Sequence, residues 1–131
     1  MTDLFGHAAA DNIRFEKSRT ILTPAAATYN VIRIPKNAFV TDVWLLVTTA
    51  GSSNTVSVGW IGNGETAVPT GFLSTDIAAV MTAGLKRSTK DTLVNFTGKY
   101  FSAAGGVITV TVGTTQSTGL FHVFVQFHVI Y

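Results

Sequence analysis

Two long stretches of this chain carry no ionic side chain, and both alternate in the way that strands do. Residues 43–64 and 100–131 contain no Asp, Glu, Lys or Arg. Within the second, Ile108, Val110 and Val112 alternate with Val107, Thr109 and Thr111. Further on, Phe121, Val123, Val125, Phe127 and Val129 alternate with His122, Phe124, Gln126, His128 and Ile130. A period of two places the two sets on opposite faces of an extended strand, a pattern no helix can use. Charge normally keeps the outward faces of a small domain soluble and defends exposed strand edges. Ribbons without charge have two explanations. They form a Thr/Ser-rich sheet kept wet by hydroxyls, or they are covered by copies of the chain or by another protein. We favour the second.

Composition supports an all-β chain of one domain's length. Its 131 residues are 47% hydrophobic and only 12% charged, about half the usual charged fraction. Disorder, coiled coil and a charged helical bundle are thereby excluded. The net charge of +2 comes from few charges rather than many basic ones, so no nucleic-acid partner is expected. With no cysteine, a disulfide framework, a thiolate metal site and a thiol nucleophile are all ruled out. Near the start, Asp3 stands where a secretory signal needs positive charge, and no apolar run follows. No stretch approaches the roughly 18 apolar residues of a spanning helix. Synthesis in the cytoplasm without export, and no membrane partner, are the expectations.

Along the chain, residues 1–27 read as an extended arm and residues 28–131 as a β-sandwich domain. The arm contains short strands at 13–17 and 20–23; it could equally be the first edge strand of the domain. Strands follow at 28–34, stopped by Pro35, and at 39–49. In the latter, Phe39, Thr41, Val43, Leu45 and Val47 form one face, with Val40, Asp42, Trp44 and Leu46 on the other. A strand at 55–61 ends in the tight turn Asn63-Gly64. Residues 65–89 are the least regular, with a short helix capped near Ser74 and ending near Gly84, or a long loop, as alternatives. Strands at 91–97, 107–112 and 120–131 complete the pattern. Short turns between so many strands indicate an antiparallel sandwich, jelly-roll-like, with the long final strand in a central position.

Candidate chemistry is thin. His122 and His128 share a face but stand roughly 20 Å apart, too far for one metal. His7 is remote in sequence, and the carboxylates are scattered. Gly62-Asn63-Gly64 lacks the lysine and following helix of a phosphate loop and reads as a turn. The sequon Asn95-Phe96-Thr97 is taken as chance, and Lys86-Arg87-Ser88-Thr89-Lys90 as a solvated loop. Trp44 and Trp60 are expected to pack in strand cores rather than to stack on sugars. No enzyme, cofactor or metal is expected.

Three segments carry a resemblance: residues 31–43 (VIRIPKNAFVTDV), 71–77 (GFLSTDI) and 98–101 (GKYF). Together they resemble small β-rich decoration (cement) virion proteins of tailed bacteriophages, over residues 30–131. The resemblance implies a structural protein on the capsid exterior. It would form homo-oligomers, trimers or other symmetric clusters, and clamp neighbouring copies of the major capsid protein. It brings no active site. In that picture the arm is a tether, with Leu4, Phe5, Ile13 and Phe15 as apolar anchors. The alternative is a lectin-like glycan-binding module of a phage head or tail fibre.

Overall fold

The computed structural model describes residues 13–19, 21–22, 25–53, 55–74, 81–88, 98–102 and 104–130. These residues form two antiparallel sheets packed face to face. The first holds β1 (Ile13–Lys17), β2 (Ile21–Leu22), β4 (Ala38–Thr49), β7 (Gly84–Arg87), β8 (Lys99–Phe101) and β10 (Leu120–Val129). Its order is β1-β10-β4-β7, with β2 extending beside β10 and β8 beside β4. The second is β3 (Ala27–Ile34), β9 (Gly106–Val112), β5 (Val56–Gly62) and β6 (Glu65–Leu73), in that order. The fold is an all-β sandwich, as the alternating sequence requires.

The core lies where the inner faces meet. From β10, Phe121, Val123, Val125, Phe127 and Val129 are buried; β4 adds Val43, Leu45 and Val47, and β9 adds Ile108, Val110 and Val112. Phe72 and Phe101 fill the remaining space with no exposed surface. The long uncharged strand β10 is interior to its sheet, flanked by β1 and β2 on one side and β4 on the other. Its backbone groups are thereby paired on both sides, which removes the aggregation hazard of a flat edge.

Three expectations need correction. The faces of β4 change phase at a bulge. The ladder with β10 runs Gln126↔Asp42 and then Phe127↔Val40, leaving Thr41 as the extra residue. Ala38 and Val40 therefore bury with Val43, Leu45 and Val47, and Phe39 joins Trp44 and Leu46 outside. Secondly, residues 65–73 are the strand β6. It escapes pattern reading because Pro69 sits in an irregular stretch, where the pairing passes from Trp60↔Val68 to Val58↔Leu73. Thirdly, Gly84, the expected end of a helix, begins β7 instead. Residues 81–83 form a turn rather than helix, while 75–80 and the expected strand at 91–97 lie outside the described residues.

The turn at Gly62-Asn63-Gly64 forms as expected, with φ of 105°, 57° and 68°. Its positive dihedrals explain the two glycines and the asparagine. Asn63 Oδ1 then accepts the Ala104 N–H at 3.1 Å, tying the turn to the neighbouring loop. Gly59 has a different reason. The irregular part of β6 folds back so closely that a Cβ at Gly59 would lie 1.8 Å from the Val68 carbonyl oxygen. Ser57 Oγ donates to the Pro69 carbonyl at 3.0 Å and holds this return in place. Gly59→Ala should therefore cost on the order of 3 kcal/mol in a denaturant titration. A cost near zero would mean that β6 does not lie over β5 in this way.

Candidate interaction surface

The outward faces of the two sheets differ in chemistry, although both arise from charge-poor strands. In the second sheet, register rows read Thr28–Thr111–Ser57 and Asn30–Thr109–Gly59. Thr28 and Thr111 join their hydroxyls at 3.1 Å. Thr28 and Asn30 are exposed and Thr111 half-buried on this side, whereas Ser57, Gly59 and Thr109 are buried. In the first sheet the corresponding rows read Lys17–Phe124–Trp44–Arg87 and His122–Leu46–Leu85. Aromatic and aliphatic side chains occupy the places that hydroxyls take on the other side.

Among the described residues four large hydrophobics are exposed: Phe15 (68%), Leu85 (53%), Ile130 (48%) and Tyr100 (43%). Each lies on a strand of the first sheet or directly follows one. Phe15, Phe124, Trp44, Leu46 and Leu85, contributed by four strands, line a shallow hollow of about 330 Å³. Contiguous apolar surface with a polar rim marks interaction sites on soluble proteins.

Among the described residues, the one carboxylate on this face is neutralised in place. Asp42 is 5% exposed. Its Oδ2 accepts from Arg87 Nη2 at 2.6 Å, and its Oδ1 accepts from Ser88 Oγ and the Val43 N–H, each at 2.9 Å. The same guanidinium lies 5.6 Å from the centre of the Trp44 ring. Charge is thus folded down beside the aromatic surface rather than spread across it. Lys86 and Arg87 of the basic cluster lie in β7 rather than in a solvated loop: Arg87 makes this ion pair, and the largely buried Lys86 donates to the carbonyl and hydroxyl of Thr82, both at 3.1 Å. Thr89 and Lys90 lie outside the described residues.

A second concavity, a groove of about 590 Å³, opens between β1 and the second sheet. Arg14, Glu16 and Arg33 line it above the backbone of Gly62, Gly105 and Gly106. These glycines answer to close backbone packing, since a Cβ at Gly106 would meet the Ile61 carbonyl at 2.8 Å. The groove holds no hydroxyl nucleophile, imidazole or second carboxylate. His122 and His128 lie on the outward side of β10, and no three described His, Asp or Glu residues gather as metal ligands. Trp60 is packed: Phe72 stands 5.0 Å away, and Lys99 Nζ lies 4.9 Å from its ring centre. Trp44 is not in the core, as expected from sequence, but half-buried on the outward face.

Three chains in solved structures share this fold. One belongs to the capsid asymmetric unit of cyanophage Pam1, with a TM-score of 0.68, 18% identity, and coverage of 99% of this chain and 94% of that one. Another is from the acid-stable capsid of Helicobacter pylori bacteriophage KHP30, with a TM-score of 0.64, 18% identity, and coverage of 89% and 87%. A third is from the capsid of Ralstonia phage GP4, with a TM-score of 0.59, 14% identity, and coverage of 100% and 92%. The likeness is one of fold. No protein-family model matches the chain, and neither does any curated protein sequence.

Of the residues expected to anchor the arm, Phe15 stands on the aromatic face, and Ile13 lies opposite His128 in the ladder. Leu4 and Phe5 lie outside the described residues. Alternation alone could have shown part of the aromatic outer row, because β4 is apolar in both phases from Val43 to Val47 and β10 carries Phe124 in its outward phase. The partners from β1 and β7 needed the strand order.

At the far end of the second sheet, Lys99 Nζ holds both oxygens of Glu65, at 2.8 and 2.5 Å. That ammonium keeps the Glu65 carboxyl below its ordinary value of 4.5. A carboxyl lowered on folding adds stability above its unfolded pKa and loses it as pH falls through the folded one. Glu65→Gln should therefore lower the urea midpoint by a small constant amount above pH 4.5, with the difference fading below it. An unchanged difference at acid pH would show that the ion pair contributes nothing.

Proposed function

We propose that this chain is a structural protein of a phage virion. It would act as a decoration (cement) protein that binds the outside of the head and stabilises it by symmetric self-association and contacts to neighbouring capsid subunits. The observation that supports this most is the aromatic hollow on the outer face of the first sheet, on a fold shared with chains of three phage capsids. In this reading the face lies against protein and the hydroxyl-rich face of the second sheet meets solvent. Shallow contacts repeated by symmetry hold a shell together without any one being tight. The role is non-catalytic and uses no cofactor. The glycan-binding alternative draws no support from Trp60, whose ring is already covered by Phe72 and Lys99.

The test is occupancy on particles that lack the protein. Phe15→Ser combined with Leu85→Ser should leave the fold intact, because both side chains are exposed and such changes cost about 0.5 kcal/mol or less. The same variant should lose most of its binding to heads. Wild-type occupancy by a folded variant would contradict the assignment of this face. The tether is tested separately: removing residues 1–12 spares the whole of β1 and should weaken binding to heads. Unchanged occupancy would remove the tether from the account.

A further inference from the structure

We propose that two copies of this chain pair β1 to β1 about a two-fold axis through Phe15, joining their first sheets into one. The proposal is independent of the virion reading, since it concerns the isolated protein. Among the described residues, β1 has a partner on one side alone: β10, in the register Ile13↔His128 to Lys17↔Phe124. The next residue, Ser18, donates its N–H to the Val123 carbonyl at 2.8 Å and so points towards β10. Backbone groups alternate along a strand. Those of Arg14 and Glu16 therefore also turn to β10, and those of Ile13, Phe15 and Lys17 point to the open edge.

The side chains then select the register. Antiparallel pairing about Phe15 sets Arg14 opposite Glu16 of the second copy, and Glu16 opposite Arg14 of the second copy. Neither side chain has an ion-pair partner among the described residues of its own chain. An axis through Arg14 or through Glu16 would instead set like charges face to face, which is destabilising. A slip of one residue would bring the outward face of one copy level with the inward face of the other. About Phe15, the outward-pointing amides of Phe15 pair with each other, and those of Lys17 with Ile13 of the second copy. Lys17 meets no like charge.

The consequence reaches the aromatic face. Phe15, the most exposed large hydrophobic side chain described, comes to lie beside its own copy. The two hollows then become one continuous apolar band across the joined sheet. An isologous contact of this kind is closed, so β1 ceases to be a free edge and the pairing does not propagate into fibres.

Light scattering across a concentration series, with amide exchange read at Phe15 and Lys17, tests the proposal. Wild-type protein should form a dimer in which both amides are slowed. Arg14→Glu and Glu16→Arg should each weaken dimerisation by about tenfold or more. The double charge reversal, which rebuilds both pairs in the opposite sense, should restore it. A monomer at all concentrations overturns the proposal, as does association that ignores the single reversals or leaves the two amides in fast exchange. Because this experiment contains no particles, its failure would leave the proposed binding to heads untouched.

Discussion

The ladder between β4 and β10 decides what this protein shows to its surroundings. It runs from Leu120↔Thr49 to Val129↔Ala38 through the middle of the first sheet. From Val43 to Val47 β4 is apolar in both phases, and β10 adds Phe124 on its outward side between His122 and Gln126, so burying one set there leaves an apolar set outside. The inward set (Phe121, Val123, Val125, Phe127, with Val43, Leu45 and Val47) builds the core. The outward set (Phe124, Trp44, Leu46, with His122 between them) builds a surface that water serves poorly. A bulge at Thr41 keeps the two sets in phase along the whole length of the pairing. Without it Phe39 and Thr41 would take the inward places that Ala38 and Val40 occupy, while Asp42, next to the buried Val43, stays on the outward side under Arg87.

The sandwich is therefore two-sided in a chemical sense. Absence of charge means something different on each side. On the second sheet, threonine, serine and glycine replace charge; Thr28 and Asn30 are exposed, while Ser57 and Thr109 are buried. On the first, nothing replaces it, and the exposed Phe15 and Leu85 enlarge an apolar hollow that the central strands begin. The hydroxyl-rich explanation fits the exposed Thr28 of the second sheet, and covering by protein is what we propose for the first. The proposed decoration role would need such a division, with one face that adheres and one that stays in solution.

Much of the fold was legible because it rests on local alternation. The strands at 13–17, 107–112 and 120–129 could be read residue by residue, as could the turn at Asn63-Gly64. Where reading failed, the determinant was distant in sequence. β6 is held by Gly59 and Ser57 of another strand, and its own residues, interrupted by Pro69, show no period. β7 looked like a basic loop because the groups that satisfy Lys86 and Arg87 are Thr82 and, 45 residues away, Asp42. The aromatic face was half visible. Trp44 and Phe124 could be seen as surplus apolar residues, but placing Phe15 and Leu85 beside them takes the order β1-β10-β4-β7.

The central claim is that the outer face of the first sheet lies against protein and that of the second does not. Hydroxyl-radical footprinting of the free chain and of the chain on intact particles measures both faces at once. The account predicts that Phe15, Trp44, Leu85 and Phe124 lose reactivity on the particle, while Pro69 and Val107 of the second sheet keep theirs. Equal reactivity of the aromatic face in the two states, or protection confined to the second sheet, would contradict it.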